Sequence, residues 1–233
     1  MMIPHWDKLP RSMRNGYVRP YYEKLKRKEA SLRLKRTADF ILALILTIVL
    51  SPVMAGLALW IKLDSRGPVF YRQERITRYG KPYRIFKFRT MVTGADKKGP
   101  LVTKKQDDRI TKAGSFLRKC RLDELPQLFN VLTGDMSFVG TRPEVKKYVD
   151  RYSEEMMATL LLPAGITSRT SILFKDEDEL MEKYQRETGK TVDEVYVEHI
   201  LSLKMKHNLQ YLKQFSFWGD IKIMLDTAFA VIR

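Results

Sequence analysis

The stretch FILALILTIVLSPVMAGLALWI, Phe40–Ile61, carries no charged side chain, and its reading decides the rest of the chain. As one straight helix it is about 33 Å long, just enough to cross the hydrocarbon core of a bilayer. Two details argue against simple crossing. Ser51-Pro52 sits at the midpoint, where proline lacks a helix N–H and clashes with the preceding turn, so the helix kinks there. Both flanks are also basic, with Arg33, Lys35 and Arg36 before the segment and Lys62 and Arg66 after it. Basic flanks favour the cytoplasm, so both ends are drawn to one side. A helix broken at its centre meets that demand by entering and leaving through the same leaflet. The alternatives are a kinked helix that crosses once and the core helix of a soluble protein. A secretory signal is not expected, because the run begins only at Phe40 and has no small-residue cleavage site.

Composition sets the surroundings of that segment. The 233 residues suffice for one domain with a real core plus an anchor. Hydrophobic residues at 44% and charged residues at 30% exclude both a disordered chain and a polytopic membrane protein. A net charge of +16 calls for a polyanionic partner: nucleic acid, anionic lipid or a phosphorylated substrate. Cys120 is the single cysteine, which excludes an intrachain disulfide and a cysteine metal cluster. His5, His199 and His207 show no ligand spacing.

Outward from the apolar run, three units are expected: a basic arm over 1–34 lying on the surface, a re-entrant helix over 35–62 broken at Ser51-Pro52, and a catalytic domain over 63–233. Val69–Arg72 and Tyr83–Arg89, joined by a turn at Gly80–Pro82, read as a hairpin. A charged loop holding Gly99-Pro100 covers 94–108. Helices are expected over 110–119, from 123–126 to about Leu132, over 144–161 up to Pro163-Ala164-Gly165, and over 176–188, 192–214 and 220–232. In the last, Ile221, Met224, Leu225, Ala228, Phe229 and Ile232 share one face, which suits a core or a membrane interface. The fold class is therefore mostly α with a small β-hairpin, an α+β arrangement.

Two constellations carry chemistry. Asp123 and Glu124 are adjacent carboxylates at an expected helix start, just after Arg118, Lys119 and Arg121. Neighbours on a helix point about 100° apart, so they cannot oppose each other, but one can attack phosphorus while the other ligates a metal. Mg²⁺ is the hard cation usually shared between carboxylates and phosphates, and a helix start with nearby arginines favours bound phosphate. Asp-Glu is also a common solvated helix start. The basic run Arg72, Arg75, Arg78, Lys81, Arg84, Lys87 and Arg89 is interleaved with Tyr71, Tyr79, Tyr83, Phe86 and Phe88. That mixture suits pyrophosphate and base binding, an RNA surface, or simply a solvated face. Cys120 has no evident base partner to make it a nucleophile.

From Lys35 to Pro143 the pieces KRTADFILALILTIVLSPVM, GPVFYRQERI, KPYRIFKFRTM and ITKAGSFLRKCRLDELPQLFNVLTGDMSFVGTRP stand in one order. In content and order they resemble the bacterial sugar transferase family, the monotopic polyprenyl-phosphate phosphoglycosyl transferases, in its short single-anchor form. The resemblance implies an anchor that is re-entrant and broken at Ser51-Pro52. It makes Asp123 the nucleophile of a phosphosugar-enzyme intermediate and gives Glu124 the support of Mg²⁺, with Asp123 as its neighbouring ligand. It places Arg118 and Arg142 on phosphate, where Lys87, Arg89 and Arg72 of the basic hairpin run are expected to join them. The implied partners are a nucleotide sugar, expected to be a UDP-sugar, polyprenyl phosphate and membrane lipid, with no nucleic acid. A second copy of the chain or glycosyltransferases of the same pathway are the protein partners it allows. The implied location is the cytoplasmic face of the bacterial inner membrane. Two departures stand out: Thr141 replaces the first proline of the family's Pro-Arg-Pro, and Ser168-Arg169-Thr170-Ser171-Ile172 follows PAGIT where the family often has Gly-Trp-Ala-Gln-Val. The competing reading is a membrane-tethered RNA or lipid binder without catalysis. It explains the charge and the anchor but leaves the dyad and the TGDMSFVGTRP stretch unexplained.

Overall fold

A computed structural model describes residues 2–95, 107–174 and 177–232. Helix α1 (Arg19–Arg27) leads into α2 (Glu29–Val49) and α3 (Ser51–Asp64), which meet at an angle of 61°. The hairpin of β1 (Phe70–Ile76) and β2 (Pro82–Phe88) follows, then α4 (Lys112–Lys119), a 3₁₀ turn Leu122–Glu124, α5 (Gln127–Thr133) and β3 (Met136–Val139). Beyond these lie α6 (Lys146–Val149), a 3₁₀ stretch Met156–Leu161, β4 (Ala164–Thr167), α7 (Arg169–Leu173) and α8 (Glu177–Thr188). Helices α9 (Val192–Val195) and α10 (Ser202–Gln214) are continuous through a π-helical turn, Tyr196–Leu201, and α11 (Phe217–Ile232) ends the chain. The expected mostly helical α+β class is observed, with two two-stranded sheets: β1 and β2 pair antiparallel, β3 and β4 parallel.

Helix α2 is amphipathic in the inverse sense. Leu32, Lys35, Asp39 and Ala43 form its inward stripe, whereas Phe40, Ile41, Leu44, Ile45, Ile48 and Val49 face out. Water would oppose such a surface, because apolar groups gain by leaving it. The inward polar groups are partnered: Lys35 Nζ lies 2.6 Å from Asp220 Oδ2 and 3.7 Å from Asp39 Oδ2. Ser137 donates to Asp39 at 2.7 Å, and Tyr211 donates to Asp220 at 2.9 Å. Arg36 caps α5 through the carbonyls of Val131 and Leu132, at 2.6 and 3.0 Å. Among the described residues no single helix is long and apolar enough to cross a membrane; α2 and α3 together meet that test as a bent pair.

Several expectations are corrected. The stretch expected as a surface arm is part of the core: Ile3, Leu9, Met13, Val18 and Leu25 are buried against Leu161, Leu212 and Phe215. Ile3, Leu9 and Met13 are too widely spaced to show a period, whereas Val18, Tyr21, Tyr22 and Leu25 stand at helical spacing and form the buried face of α1, a pattern that the basic composition masks. The helix expected over 144–161 breaks into α6 and a 3₁₀ stretch, because Ala158 to Leu162 are all buried and a one-sided α-helix cannot hide five successive side chains. The parallel pair β3–β4 was not foreseen; all four residues of β3 are buried, which erases the two-residue alternation of an exposed strand. Here the backbones of Gly140 and Gly165 touch, and a Cβ on Gly165 would stand 2.2 Å from the Gly140 nitrogen. The loop expected over 94–108 lies mostly outside the described residues.

Candidate active site

The dyad sits on a 3₁₀ turn and not at the start of a helix as expected. Two residues cause this. Arg121 adopts a left-handed conformation (φ 56°), which ends α4, and Pro126 leaves α5 to begin only at Gln127. The pairing of β2 with β1 carries Lys87 to the turn, and the backbone leaving β3 carries Arg142 to it. Lys87 Nζ stands 2.6 Å and Arg142 Nη2 3.9 Å from the same oxygen, Glu124 Oε1.

The two carboxylates are electrostatically different. Burial alone would raise the pKa of Glu124, but Lys87 and Arg142 overcome it and hold the group down to about 2. Asp123 moves the other way: burial raises its pKa and the Glu124 charge adds to that, against the pull of Lys87, Arg118 and Arg121. Among the described residues the Asp123 carboxylate forms no hydrogen bond or ion pair. Adjacent groups whose environments push their pKa values apart are the usual sign of a division of catalytic labour.

Beside the turn lies a cavity of about 710 Å³ with three kinds of wall. Arg118, Lys119, Arg121, Glu124 and Arg142 make a charged wall. Leu46 of α2 and Leu50 between α2 and α3, with Leu128, Phe138 and Ile166, make an apolar one. Thr170 and Ser171, with the ion pair of Glu177 and Lys204, make a polar one.

Residues 30–233 match the profile of the bacterial sugar transferase family. The chain belongs to that family. It is 36% identical over 200 residues to the UDP-glucose:undecaprenyl-phosphate glucose-1-phosphate transferase of Escherichia coli, covering 84% of this chain and 39% of that protein. It is 34% identical over 197 residues to the UDP-N-acetylgalactosamine-undecaprenyl-phosphate N-acetylgalactosaminephosphotransferase of Aeromonas hydrophila, covering 83% and 42%. A UDP-glucose:undecaprenyl-phosphate glucose-1-phosphate transferase of Caulobacter vibrioides is 36% identical over 198 residues, covering 83% of this chain and 67% of the relative. The chain thus spans about two fifths of the length of the first two relatives.

In this bacterial sugar transferase the structure brings together Asp123, Glu124, Arg118, Arg142 and Lys87. It leaves two of the expected phosphate-binding residues elsewhere. Arg89 is buried, and its Nη2 donates to the carbonyls of Ile61 and Ser65 at 3.3 and 2.6 Å, so it caps the end of α3. Arg72 lies on the opposite face of the hairpin from Lys87, its guanidinium 3.3 Å from the centre of the Phe86 ring. The alternation of strand side chains explains why Lys87 reaches Glu124 and Arg72 does not: Lys87 shares a face with Tyr83 and Ile85, while Arg72 is paired across the strands with Phe86. Cys120 is exposed at the end of α4 and is not among the cavity-lining residues. Sequence reasoning missed Glu177 and Lys204, whose helices carry no motif, and Leu46 and Leu50, which the apolar run hid.

Proposed function

We propose that this chain transfers a sugar-1-phosphate from a UDP-sugar to polyprenyl phosphate through a phosphosugar intermediate on Asp123. The observation that carries this reading is the unpaired carboxylate of Asp123, its pKa raised by burial, beside the strongly ionised, Lys87-paired Glu124, which lines a cavity with charged and apolar walls. In the first step an Asp123 carboxylate oxygen attacks the β-phosphorus. The bond from that phosphorus to the bridging oxygen breaks, and UMP leaves with the electron pair. In the second step a phosphate oxygen of polyprenyl phosphate attacks the same phosphorus. The acyl-phosphate P–O bond breaks, restoring the carboxylate and giving polyprenyl-diphosphate-sugar. Arg118 and Arg142 supply fixed positive charge where charge builds on the transferring phosphate.

The donor set fits Mg²⁺ in the manner in which it binds one or two carboxylates together with substrate phosphates. Among the described residues no group of three or more His, Cys, Asp or Glu side chains could hold a metal by itself, so Asp123 and Glu124 would hold it only with the donor's oxygens. When bound, Mg²⁺ would neutralise charge on the pyrophosphate. The outward apolar face of α2 and α3 supports placing this pair in one leaflet of the bacterial inner membrane, with both flanks and the catalytic body on the cytoplasmic side.

UMP release from UDP-sugars by the full chain in lipid nanodiscs tests the reading. Asp123→Asn should abolish turnover, since an amide does not attack phosphorus, and near-wild-type release by that variant would falsify the covalent route. Stability should not fall with activity. Burial raises the folded pKa of Asp123, so the carboxylate opposes folding at pH values above its ordinary range, and the neutral amide removes that opposition.

A further inference from the structure

The sugar itself has no assigned place in the site described so far, and the three walls of the cavity are not equivalent toward it. The basic wall suits a diphosphate, and the apolar wall formed by Leu46, Leu50, Leu128 and Phe138 suits a polyprenyl chain. Sugar hydroxyls need oriented acceptors and donors together, and beyond Glu124 and Arg142 at the dyad itself the wall of α7, α8 and α10 offers them. There Lys204, 4% exposed, places its Nζ 3.2 Å from both oxygens of Glu177, 2.9 Å from Tyr196 Oη and 3.5 Å from Glu144 Oε1. An ammonium has three protons, so these partners use up its donors. Glu144 is itself buried and accepts from Tyr196 at 2.6 Å. Glu177 differs: its side chain is 27% exposed, it lines the cavity, and a carboxylate held by one lysine keeps lone pairs to spare. Arg142, which also lines the cavity, stays charged against burial through Glu124, Glu144 and Glu177, which makes it a neighbour of both the dyad and this wall.

We infer that Glu177 is the residue that reads the sugar ring of the donor, accepting hydrogen bonds from its hydroxyl or amide groups, and that the site therefore takes neutral or amino sugars and rejects sugars carrying a carboxylate. The inference rests on the UDP-sugar reading above and goes beyond it by assigning the recognition residue and the sugar class. A uronic acid would set its carboxylate against Glu177, with no free proton on Lys204 to receive it, and Arg142, the other cation beside this wall, already faces Glu124, Glu144 and Glu177.

The test uses the full chain in nanodiscs with polyprenyl phosphate, a panel of neutral UDP-hexoses and UDP-acetamidohexoses, a UDP-uronate, and UDP alone as a competitor. Losing the charge on the acceptor should weaken its bonds, so Glu177→Gln should raise the KM for the preferred donor roughly tenfold with kcat within about threefold. Inhibition by UDP, which has no sugar, should stay within about twofold, and the preference for neutral donor over uronate should shrink roughly tenfold. An unchanged KM for every donor overturns the inference while leaving the transfer reading intact. So does an equal loss of UDP affinity, which would put Glu177 on the nucleotide. If the wild-type chain releases UMP from no UDP-sugar at all, the transfer reading falls and takes this inference with it.

Discussion

The break between α2 and α3 depends on a specific exchange of hydrogen-bond donors. In an unbroken helix the N–H of residue 52 would bond the carbonyl of Ile48, four residues earlier, and Pro52 has no N–H. Ser51 Oγ donates to that same carbonyl at 2.8 Å, while Leu50 N to Leu46 O and Met54 N to Leu50 O, at 2.9 and 2.8 Å, keep the ladder on either side. Ser51→Ala therefore leaves the Ile48 carbonyl without its donor on a face where Ile48 and Val49 are exposed. With that face in lipid, as proposed above, an unsatisfied carbonyl costs about 1–3 kcal/mol, and alanine recovers a few tenths in helix propensity. The net loss, about 1–2 kcal/mol, corresponds to a Tm drop of about 2–8 °C for a chain of this size. In a Pro52→Ala background residue 52 regains its N–H, and the same Ser51→Ala change should cost close to nothing. The four proteins, melted at one scan rate in nanodiscs, form a double-mutant cycle with an expected coupling of about 1–2 kcal/mol. If Ser51→Ala costs the same in both backgrounds, within about 0.5 kcal/mol, the exchange of donors is not what holds the break.

Three more outcomes are expected. Lys87→Met should destabilise the fold at pH 7 by up to roughly 3 kcal/mol, the linkage equivalent of holding Glu124 from an ordinary 4.5 down to about 2. Because a depressed carboxylate pKa stabilises above its unfolded value and that stability is lost as pH falls through the folded one, the gap to wild type should narrow from about pH 5 toward pH 2, read from melts across that range; a gap independent of pH would assign the loss to something else. Lys35→Met strands the buried Asp39 and Asp220 carboxylates and should cost about 3–5 kcal/mol, with Asp220→Asn in the same chain recovering part of it. In a Cys120→Ser background, single reporter cysteines near the N-terminus and near Arg233 should both resist a membrane-impermeant reagent in intact cells; labelling of the N-terminal one alone would mean that the bent pair crosses the membrane.

What was legible in the sequence was whatever repeats with a period or breaks with a special residue. Pro52 marks the bend, the apolar run marks the anchor, the alternation around Tyr83, Ile85 and Lys87 marks the hairpin, and the helices over 177–188 and 192–214 follow their apolar spacing. Asp123, Glu124, Arg118 and Arg142 were found through long motifs whose order carried the resemblance. Most of the misses share a cause, tertiary burial that leaves no period to read; α1 is the exception, because Val18, Tyr21, Tyr22 and Leu25 do keep helical spacing within a basic stretch. Met136–Val139 is buried throughout, Ala158–Leu162 likewise, and Ile3, Leu9 and Met13 are single anchors in basic, polar surroundings. Arg89 and Lys87 look alike in the sequence, and only the strand pairing sends one to Glu124 and the other to the carbonyls of α3.

Helix α2 joins two requirements that a separate anchor and body would have to meet independently. Its first half is tied to the catalytic body by charges that water does not reach, Lys35 with Asp39 and Asp220, and by Arg36 on the last carbonyls of α5, the helix that follows the dyad. Its last turns put Leu46 and Leu50 into the cavity wall while Ile45, Ile48 and Val49 face outward. The residues that would enter lipid and those that would meet a lipid acceptor are therefore interleaved on the same two turns. On the membrane reading, the depth of the anchor and the height of the cavity cannot vary separately, because one rigid helix sets both. On the proposed function, that arrangement would put the apolar wall within reach of a polyprenyl chain that stays in its leaflet and would leave the Arg118–Arg121 wall to a water-soluble donor. A flexible tether would hold the protein at the membrane equally well but would not fix the relation between the two walls. The buried Lys35 cluster is the part of the structure that makes the tether rigid.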